Sequence, residues 1–205
     1  MSEKIDLIKD LKPLYQPPTK EPVIVTVPAL QFLMLDGHGD PNTSPDYAVT
    51  VQSLYQFAYT LKFAIKKASG TDFAVMPLEG LWWSENMDVF LTREKSSWSW
   101  RMMIAQPPLV TPGWVETARK QVLAKKDAAA RSAEVRFENY AEGLCVQLMH
   151  IGPYDAEGPN IQRMHAYALQ QGYRLTGLHH EIYLSDPRRA APEKMRTIIR
   201  QPIAK

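Results

Sequence analysis

The chain has 205 residues, of which 45% are hydrophobic, 22% charged and 10% aromatic. This composition is typical of a folded globular protein and excludes a disordered chain, which would lack the apolar side chains for a core. No apolar run reaches the roughly 18–20 residues that a membrane-spanning helix needs. The net charge is only +2, without the basic surplus of a typical nucleic-acid-binding domain. We therefore expect neither a membrane nor a nucleic acid as partner.

The single cysteine and the N-terminus indicate the compartment. Cys145 cannot form a disulfide within the chain, and its apolar surroundings lack an activating base, so we expect a buried structural thiol. Residues 1–6 mix acidic and basic side chains too early for a secretory signal. These features predict a cytoplasmic protein.

The first 22 residues differ from the rest of the chain. They contain apolar side chains for one short amphipathic turn, followed by Pro17, Pro18 and Pro22. Proline lacks the backbone donor that a helix needs, so residues 1–22 are predicted to be an N-terminal arm ending in an extended linker.

A strand–helix–strand–strand module is predicted next. Residues 23–27 are β-branched and residues 31–35 are apolar, and both runs favour strands. Ser44 and Pro45 are typical of a helix start, and Gly70 is typical of the position just after a helix end. Between them, apolar side chains recur at three- and four-residue spacing, as in an amphipathic helix: Tyr47, Val51, Leu54, Ala58, Leu61 and Ile65. Further strands are predicted at 73–76, extending toward Trp83, and at 97–104.

The second half of the chain repeats this order. Strands are predicted at 134–140, 144–150, 177–184 and 195–200. A helix around residues 161–169 precedes Gly172 as the first helix precedes Gly70. Between the halves, Thr111 and Pro112 predict a connecting helix from about 113 to 131, with Trp114, Ala118 and Val122 on its inner side.

These patterns predict an α+β fold built by tandem duplication. We expect antiparallel sheets with helices packed on one side and a central groove between the modules, which is a natural place for a ligand pocket. The expected division is the arm 1–22 and a single domain 23–205. Within that domain we expect module one at 23–110, the connecting helix at 111–133 and module two at 134–205.

Most familiar catalytic and metal-binding patterns are absent from the sequence. Residues 37–42 (GHGDPN) begin like a dinucleotide fingerprint but lack its third glycine. A P-loop, a nucleophile elbow and paired-cysteine metal spacing are missing. His179 and His180 are adjacent on a predicted strand, where their side chains point to opposite faces. We therefore predict no metal site and no cofactor.

Two glutamates lie beside aromatic residues on predicted strands. Alternation places Glu79, Leu81 and Trp83 on one face of their strand, and Glu181 and Tyr183 with His179 on one face of another. A carboxylate among aromatic rings is costly to bury unless it is paired or has a task. It can hold a cationic ligand, or its pKa can rise so that it serves as a general acid or base. The alternative is that each glutamate lies at a water-exposed rim.

Aromatic residues supply the other candidate contacts. Trp82, Trp83, Trp98 and Trp100 fall on two predicted strands of module one, where they offer flat apolar surface for an aromatic ligand or simply pack the core. Tyr154 precedes a helix, and His165 shares a helix face with apolar residues, which is also typical of a buried core histidine. The predicted ligand contacts are Glu79, Trp82, Trp83, Trp98, Trp100, Met103, His165, Glu181 and Tyr183.

Several motifs resemble those of the GyrI-like small-molecule-binding family. They are residues 78–83 (LEGLWW), 150–154 (HIGPY), 179–189 (HHEIYLSDPRR) and the ending 191–202 (APEKMRTIIRQP). The resemblance runs from about Val23 to the C-terminus. It implies the same duplicated strand–helix–strand–strand fold that the internal repeat predicts.

The resemblance also implies what the protein does. Related domains form the drug-sensing halves of multidrug regulators such as BmrR and Rob, so a flat, apolar small molecule, either cationic or neutral, is the expected ligand. Some stand-alone members resemble hydrolases that open the cyclopropane ring of DNA-alkylating natural products, a detoxification. In that subgroup Glu181 would be the catalytic acid or base, assisted by Tyr183 or Tyr154. A third expectation, with less support, is a gyrase-interacting inhibitory protein.

Overall fold

The computed structural model describes residues 4–84 and 94–205. Within them the chain divides into two compact units. Unit 1 draws on Met1–Asp10, Leu30–Leu78 and Trp82–Tyr140, and unit 2 on Leu11–Ala29, Glu79–Leu81 and Ala141–Lys205. Neither unit is one continuous stretch of chain.

Strands and helices follow one another in an order that repeats along the chain. The elements up to residue 123 are β1 (Lys4–Ile5), α1 (Leu7–Asp10), α2 (Lys12–Tyr15), β2 (Val23–Val27), β3 (Leu30–His38), α3 (Pro45–Ser69), β4 (Asp72–Phe73), β5 (Leu78–Trp83), β6 (Ser99–Gln106) and α4 (Pro112–Leu123). The later elements are β7 (Arg136–Tyr140), β8 (Gly143–Ile151), α5 (Gly158–Gln170), β9 (Arg174–Leu175), β10 (His179–Tyr183) and β11 (Arg196–Ala204). The predicted order strand–helix–strand–strand is present as β3–α3–β5–β6 and again as β8–α5–β10–β11.

The core of unit 1 lies between an antiparallel sheet and α3. β3 is paired on both sides, with Leu33 opposite Ile104 of β6 and opposite Phe137 of β7. α3 packs against β3 and buries apolar side chains at helical spacing: Leu54, Phe57, Ala58, Leu61 and Ile65. Removing these side chains from water stabilises the unit by about 25 cal/mol for each Å² of apolar surface buried.

The predicted boundaries of α3 are confirmed. The helix begins at Pro45, directly after Ser44, and its last residue, Ser69, precedes Gly70. Gly70 adopts a left-handed conformation with φ of 76°, and its N–H donates to the carbonyl of Lys66 at 3.0 Å. Glycine reaches this conformation without a Cβ penalty, which is why it ends the helix here.

α4 is shorter than predicted, because it ends at Leu123 and not near residue 131. Tertiary hydrogen bonds occupy the backbone just beyond it. The Gln56 side chain of α3 donates to the carbonyl of Asp127 at 3.0 Å and accepts from the N–H of Ala129 at 2.8 Å. These backbone groups are therefore bound to α3 instead of continuing the helix.

The inner face of α4 also differs from the prediction. It buries Val115, Ala118 and Val122, while Trp114 is only half-buried. Val115 and Val122 lie seven residues apart, which is two helical turns, so they share a face with Ala118 that Trp114 only borders.

Unit 2 contains the antiparallel strand order β2–β8–β11–β10. Cys145 of β8 lies opposite Val25 of β2, and Ile199 of β11 lies opposite Leu148 of β8 and Glu181 of β10. α5 covers this sheet, and side chains from both form one apolar core: Val146, Leu148, Met164, Ala168, Ile199 and Ile203. Cys145 is fully buried as predicted, and burial raises the pKa of its thiol to about 12.

The segment before β2 is anchored in unit 2. Leu14 and Tyr15 at the end of α2 are both buried. After the helix, the carbonyl of Pro18 accepts a hydrogen bond from the N–H of Met149 at 3.0 Å. Two short helices precede this proline-containing stretch, and the backbone bends at residues 16 and 19–21, so the stretch is not the continuous extended linker predicted.

The predicted α+β class with antiparallel strands is confirmed. The central groove expected between the modules stays a prediction, as does the division into modules at residues 110 and 134. In the described part of the chain, no helix is both long enough and apolar enough to span a membrane.

Candidate functional site

β10 has the alternation that the sequence predicts. His180 and Ile182 are fully buried on one face, while His179, Glu181 and Tyr183 are half-buried on the other. Strand alternation therefore separates two acidic sites on the two faces of this strand. Both lie within unit 2.

The first site is built around Glu181, whose side chain is 17% exposed. The Tyr183 hydroxyl donates to its Oε2 at 2.8 Å, and His179 Nε2 lies 3.3 Å from its Oε1. Burial favours the neutral acid, but the hydrogen bonds from His179 and Tyr183 outweigh it and lower the pKa of Glu181. The lowered pKa therefore favours the ionised form of Glu181, although most of its side chain is shielded from water.

A second carboxyl group, Glu157, lies beside Glu181. It follows the short 3-10 turn Tyr154–Ala156, whose last hydrogen bond runs from the N–H of Glu157 to the carbonyl of Tyr154 at 3.1 Å. The side chain is only 4% exposed, and its Oε1 has no hydrogen-bond partner among the described residues. Burial and the charge of Glu181 raise the pKa of Glu157 to about 9.

Tyr154 completes this site at the surface. It is 38% exposed, and its ring meets that of Tyr183 edge to face, with ring centres 5.6 Å apart. We call Tyr154, Glu157, His179, Glu181 and Tyr183 the carboxyl–tyrosine site. His165 of α5 lies near it, and its burial, with the charge of His179, lowers the pKa of His165 to about 4.

The sequence analysis predicted every member of this site except Glu157 and treated His179 only as a neighbour on the same strand face. Glu157 directly precedes Gly158 and Pro159 at the start of a helix. An acidic residue at a helix start is usually exposed and interacts with the helix dipole, so local pattern gave no sign that this one is buried.

The second acidic site contains Glu79, which is 1% exposed. The Tyr15 hydroxyl donates to its Oε1 at 2.7 Å, and His180 Nε2 lies 3.0 Å from its Oε2. His180 Nδ1 also lies 2.9 Å from Glu142, and Arg200 donates to the same carboxylate at 2.9 Å. We call Tyr15, Glu79, Glu142, His180 and Arg200 the buried charge network.

The charges of this network balance. Burial disfavours a charged His180, but Glu142 and Glu79 outweigh it and raise the pKa of His180 to about 9. Burial likewise opposes ionisation of Glu142, but His180 and Arg200 lower its pKa to about 2. Both oxygens of Glu79 are engaged, which favours a structural role over ligand contact.

Backbone atoms of the N-terminal segment belong to the same arrangement. Arg200 donates to the carbonyl of Leu14 at 2.8 Å, and Gln147 donates to the carbonyl of Pro13 at 2.7 Å. Gln147 also accepts from Arg200 at 3.0 Å. The network therefore holds α2 in place within unit 2.

The predicted tryptophan contacts lie in unit 1, where they form an aromatic cluster. Trp82 meets Trp98 edge to face at 5.6 Å, and Tyr47 joins them by stacking on Trp82 at 6.3 Å and meeting Trp100 at 5.2 Å. Trp100 is fully buried and donates to the carbonyl of Gly39 at 3.2 Å. Tyr47 was expected only as part of the helix stripe.

The other ligand contacts predicted on the two tryptophan-containing strands differ in how deeply they are buried. Trp83 and Trp98 are half-buried, whereas Met103 has no exposed surface. All residues from Leu78 to Trp82 are buried, so β5 is covered on both faces and does not show the expected alternation.

Within residues 4–84 and 94–205, no three histidine, cysteine or acidic side chains converge as metal ligands would. The chemistry that the carboxyl–tyrosine site offers is that of carboxyl groups, hydroxyls and rings.

Comparison with known families identifies the class of protein. The family model described as GyrI-like small molecule binding domain matches residues 20–204. The chain therefore belongs to the GyrI-like family of small-molecule-binding domains. A search of curated proteins found no match.

Solved structures agree with this assignment. An uncharacterized conserved protein from Listeria innocua is 41% identical, with a TM-score of 0.90, and the match covers 98% of this chain and all 100% of that one. A hydrolase from Listeria innocua is 39% identical, with a TM-score of 0.84 and the same coverage of 98% and 100%. The EcmrR C-terminal domain, 14% identical with a TM-score of 0.54, covers 90% of this chain and 98% of its own and shares the fold alone.

Proposed function

We propose that the chain binds flat, apolar small molecules of cationic character at the carboxyl–tyrosine site. The observation that carries this proposal is Glu181, a partly enclosed carboxyl group with a lowered pKa that accepts a hydrogen bond from the Tyr183 hydroxyl. A carboxylate attracts a cation most strongly where water is partly excluded, and tyrosine faces add cation–π attraction. Tyr154, at the surface, provides the first ring that such a ligand would meet.

The tryptophan contacts predicted in unit 1 stay predictions from the sequence. Trp83 and Trp98 are half-buried, whereas Trp82, Trp100 and Met103 are enclosed in the core. A cytoplasmic location stays a prediction from the sequence, and so does an interaction with gyrase.

Binding can be tested with N-methylacridinium, a flat permanent cation, and with acridine at pH 8, where it is uncharged. We expect quenching or shift of tryptophan fluorescence with both dyes and tighter binding of the cation. Glu181→Gln should weaken binding of the cation about 10-fold to 100-fold, because one charge-assisted interaction is lost.

Glu193→Gln is the matched control, because Glu193 is an exposed glutamate in the same unit. Absence of any spectral change in the wild-type protein would contradict the proposal. Equal binding of both dyes by wild type and Glu181→Gln would contradict the role of this carboxylate.

Hydrolysis of a strained cyclopropane ring is the second candidate function. It is favoured by a carboxylate hydrogen-bonded to a tyrosine and by the 39% identity to a Listeria innocua hydrolase. Glu181 would take a proton from water as the water oxygen bonds to the cyclopropane CH2. The breaking C–C bond would pass its electron pair to a conjugated carbonyl oxygen, which a tyrosine hydroxyl protonates.

The geometry suits the return of the proton. Once Glu181 has accepted a proton, Tyr183 no longer has a carboxylate to donate to and is released to protonate the substrate. The proton on Glu181 then returns to Tyr183 along their 2.8 Å contact. Tyr154 is the alternative donor.

An indole carrying an electrophilic cyclopropane, incubated in oxygen-18 water, tests this reaction by mass spectrometry. We expect one labelled oxygen in the product and a loss of about 10²- to 10⁴-fold in rate for Glu181→Gln. The Tyr183→Phe and Tyr154→Phe variants show which hydroxyl assists. Unchanged turnover in Glu181→Gln would contradict the mechanism while leaving binding intact.

A further inference from the structure

His150 is the first residue of the HIGPY motif and is not part of the proposed function. It lies near the end of β8, within unit 2, and is only 2% exposed. In the strand register it pairs with Thr197 of β11, which pairs in turn with Tyr183 of β10. Because paired residues of neighbouring strands share a face of the sheet, His150 lies in the same row as a tyrosine of the carboxyl–tyrosine site.

Both ring nitrogens of His150 contact the segment that leads into α5. Nε2 lies 3.2 Å from the carbonyl oxygen of Pro153, and Nδ1 lies 2.8 Å from the side-chain nitrogen of Asn160. The same Pro153 carbonyl accepts from the N–H of Ala156 at 2.9 Å, which is the first hydrogen bond of the short 3-10 turn. The histidine therefore holds this segment at two points, one before and one after residues 154–157.

The neighbouring groups allow only one arrangement of hydrogens on this ring. A carbonyl oxygen can only accept, so the Nε2 that faces Pro153 must carry the hydrogen. Arg163 donates to Oδ1 of Asn160 at 3.0 Å, which turns the amide nitrogen of Asn160 toward Nδ1 and makes Nδ1 an acceptor. Two independent partners thus require the same tautomer, with its hydrogen on Nε2.

The segment that His150 holds contributes two members of the carboxyl–tyrosine site. Tyr154 lies at its start, and the ring meets that of Tyr183 with centres 5.6 Å apart. Glu157 lies at its end and is buried beside Glu181. Neither Tyr154 nor Glu157 belongs to a strand, so their positions depend on how the turn is attached to the sheet. His150 belongs to β8, which is paired on both sides with β2 and β11.

We infer that His150 is a positioning residue of the carboxyl–tyrosine site. It attaches the turn to the sheet, so that Tyr154 meets Tyr183 and Glu157 lies beside Glu181 before a ligand arrives. This inference rests on the proposed function and adds the residue that sets its geometry. A site ordered in advance binds more tightly, because the ligand does not have to order the side chains that it contacts.

Nitrogen-15 NMR of the wild-type protein tests the hydrogen-bond arrangement without any variant. The chemical shifts of the two ring nitrogens of His150 distinguish a nitrogen that carries a hydrogen from one that does not. At pH 8 we expect the hydrogen on Nε2 and none on Nδ1. The opposite tautomer would contradict both hydrogen bonds and overturn the inference, and this measurement stands even if a variant fails to fold.

Binding of N-methylacridinium tests the positioning role. His150→Leu removes both ring hydrogen bonds and should weaken binding about tenfold, because the dye must then order Tyr154 and Glu157 itself. His150→Gln should recover most of the affinity, since its amide places an N–H donor near the position of Nε2. His150→Asn is too short to reach Pro153 and should not. The exposed His38, replaced by leucine, is the control and should bind as wild type.

A double-mutant cycle separates positioning from a general loss of stability. In a Tyr154→Ala background only Glu157 remains to be ordered, so His150→Leu should weaken dye binding further by only about threefold. Equal losses in both backgrounds, unchanged binding by His150→Leu, or a His150→Gln variant as weak as His150→Leu would overturn the inference and leave the proposed function standing. Failure of the wild type to bind the dye would overturn both.

Discussion

His180 and Glu181 are adjacent in the chain, but their side chains face groups of different charge. His180 faces the buried charge network, where two carboxylates hold it protonated, and Glu181 faces the tyrosines and a neutral Glu157. The difference follows from strand alternation, which sends neighbouring side chains to opposite faces of the sheet. It leads to two predictions that concern single residues.

The charge on His180 predicts that stability falls at alkaline pH. The pKa of His180 is about 9 in the folded protein and about 6.5 when the chain is unfolded. Its contribution is therefore fully present below about pH 6.5 and is lost as pH rises through about 9, by a few kcal/mol. Urea unfolding between pH 7 and 10 should show this loss, and His180→Gln should remove that part of the slope.

The exposed His38, replaced by glutamine, is the control for this measurement. It should leave the pH dependence unchanged. A His180→Gln variant with the same alkaline slope as wild type would refute the role of this residue.

Tyr15 is predicted to stabilise the protein through its hydroxyl. Tyr15→Phe leaves Oε1 of Glu79 buried without its 2.7 Å donor, which should cost about 1–3 kcal/mol in the free energy of unfolding. Tyr59→Phe, at a site that is 47% exposed, should cost almost nothing. If the two variants are equally stable in urea, the hydrogen bond from Tyr15 to Glu79 does not stabilise the fold.

At the scale of elements, the first residues of α3 and α4 show that similar local sequences can form different cap hydrogen bonds and so stabilise a helix to different extents. Ser44 and Thr111 each precede a proline at the start of a long helix. The Thr111 hydroxyl accepts from the N–H of Trp114 at 3.4 Å, whereas Ser44 makes no side-chain cap hydrogen bond. The sequence predicts both caps, but only one forms.

We therefore expect Thr111→Ala to lower the free energy of unfolding by about 0.5–1 kcal/mol, toward the lower end for a cap because the contact is long. Ser44→Ala should change it by only a few tenths. Chemical denaturation of both variants checks this, and a larger loss at Ser44 would contradict the geometry.

The pairing of β3 with β6 predicts a strict requirement at Gly37. This residue lies opposite Trp100, and a Cβ at position 37 would overlap the indole ring. Gly37→Ala should cost about 1–3 kcal/mol, because the ring is fully buried and must move to make room. Gly113→Ala, where a Cβ meets only ordinary contact, is the control in thermal unfolding.

At the scale of the whole molecule, the path of the chain between the units differs from what sequence order suggests. β2 precedes β3 in the chain but pairs with β8 in unit 2, and β7 precedes β8 but pairs with β3 in unit 1. The segment Leu11–Ala29 likewise belongs to unit 2, where its backbone contacts Gln147 and Arg200. Its removal is predicted to damage the whole fold.

Deleting residues 1–16 should therefore destabilise the protein by more than Tyr15→Phe does. The deletion removes the donor to Glu79 and the backbone acceptors of Gln147 and Arg200, leaving buried polar groups unpaired. Calorimetric unfolding of the full chain, the deletion and Tyr15→Phe gives the ranking. A deletion as stable as wild type would show that the segment is dispensable.

The sequence by itself determined the α+β class, the repeated order of elements and most of their boundaries. It also placed Glu181, Tyr183 and Tyr154 among the candidates, because periodicity, caps and alternation are local properties of a few consecutive residues. The motifs were sufficient to indicate the family as well. α4 is the exception, since its end depends on Gln56 from a different helix.

Only the tertiary structure decided which carboxyl groups carry charge and with whom they pair. Glu79 and Glu181 are alike in sequence, each on a strand rich in aromatic residues, yet one is locked in a network and the other lies at a half-open site. Tyr15 and Glu79 are 64 residues apart in the chain, and Glu157 reaches Glu181 only when α5 packs on its sheet. Ionisation depends on burial and on neighbours brought together by folding, and neither is contained in local pattern.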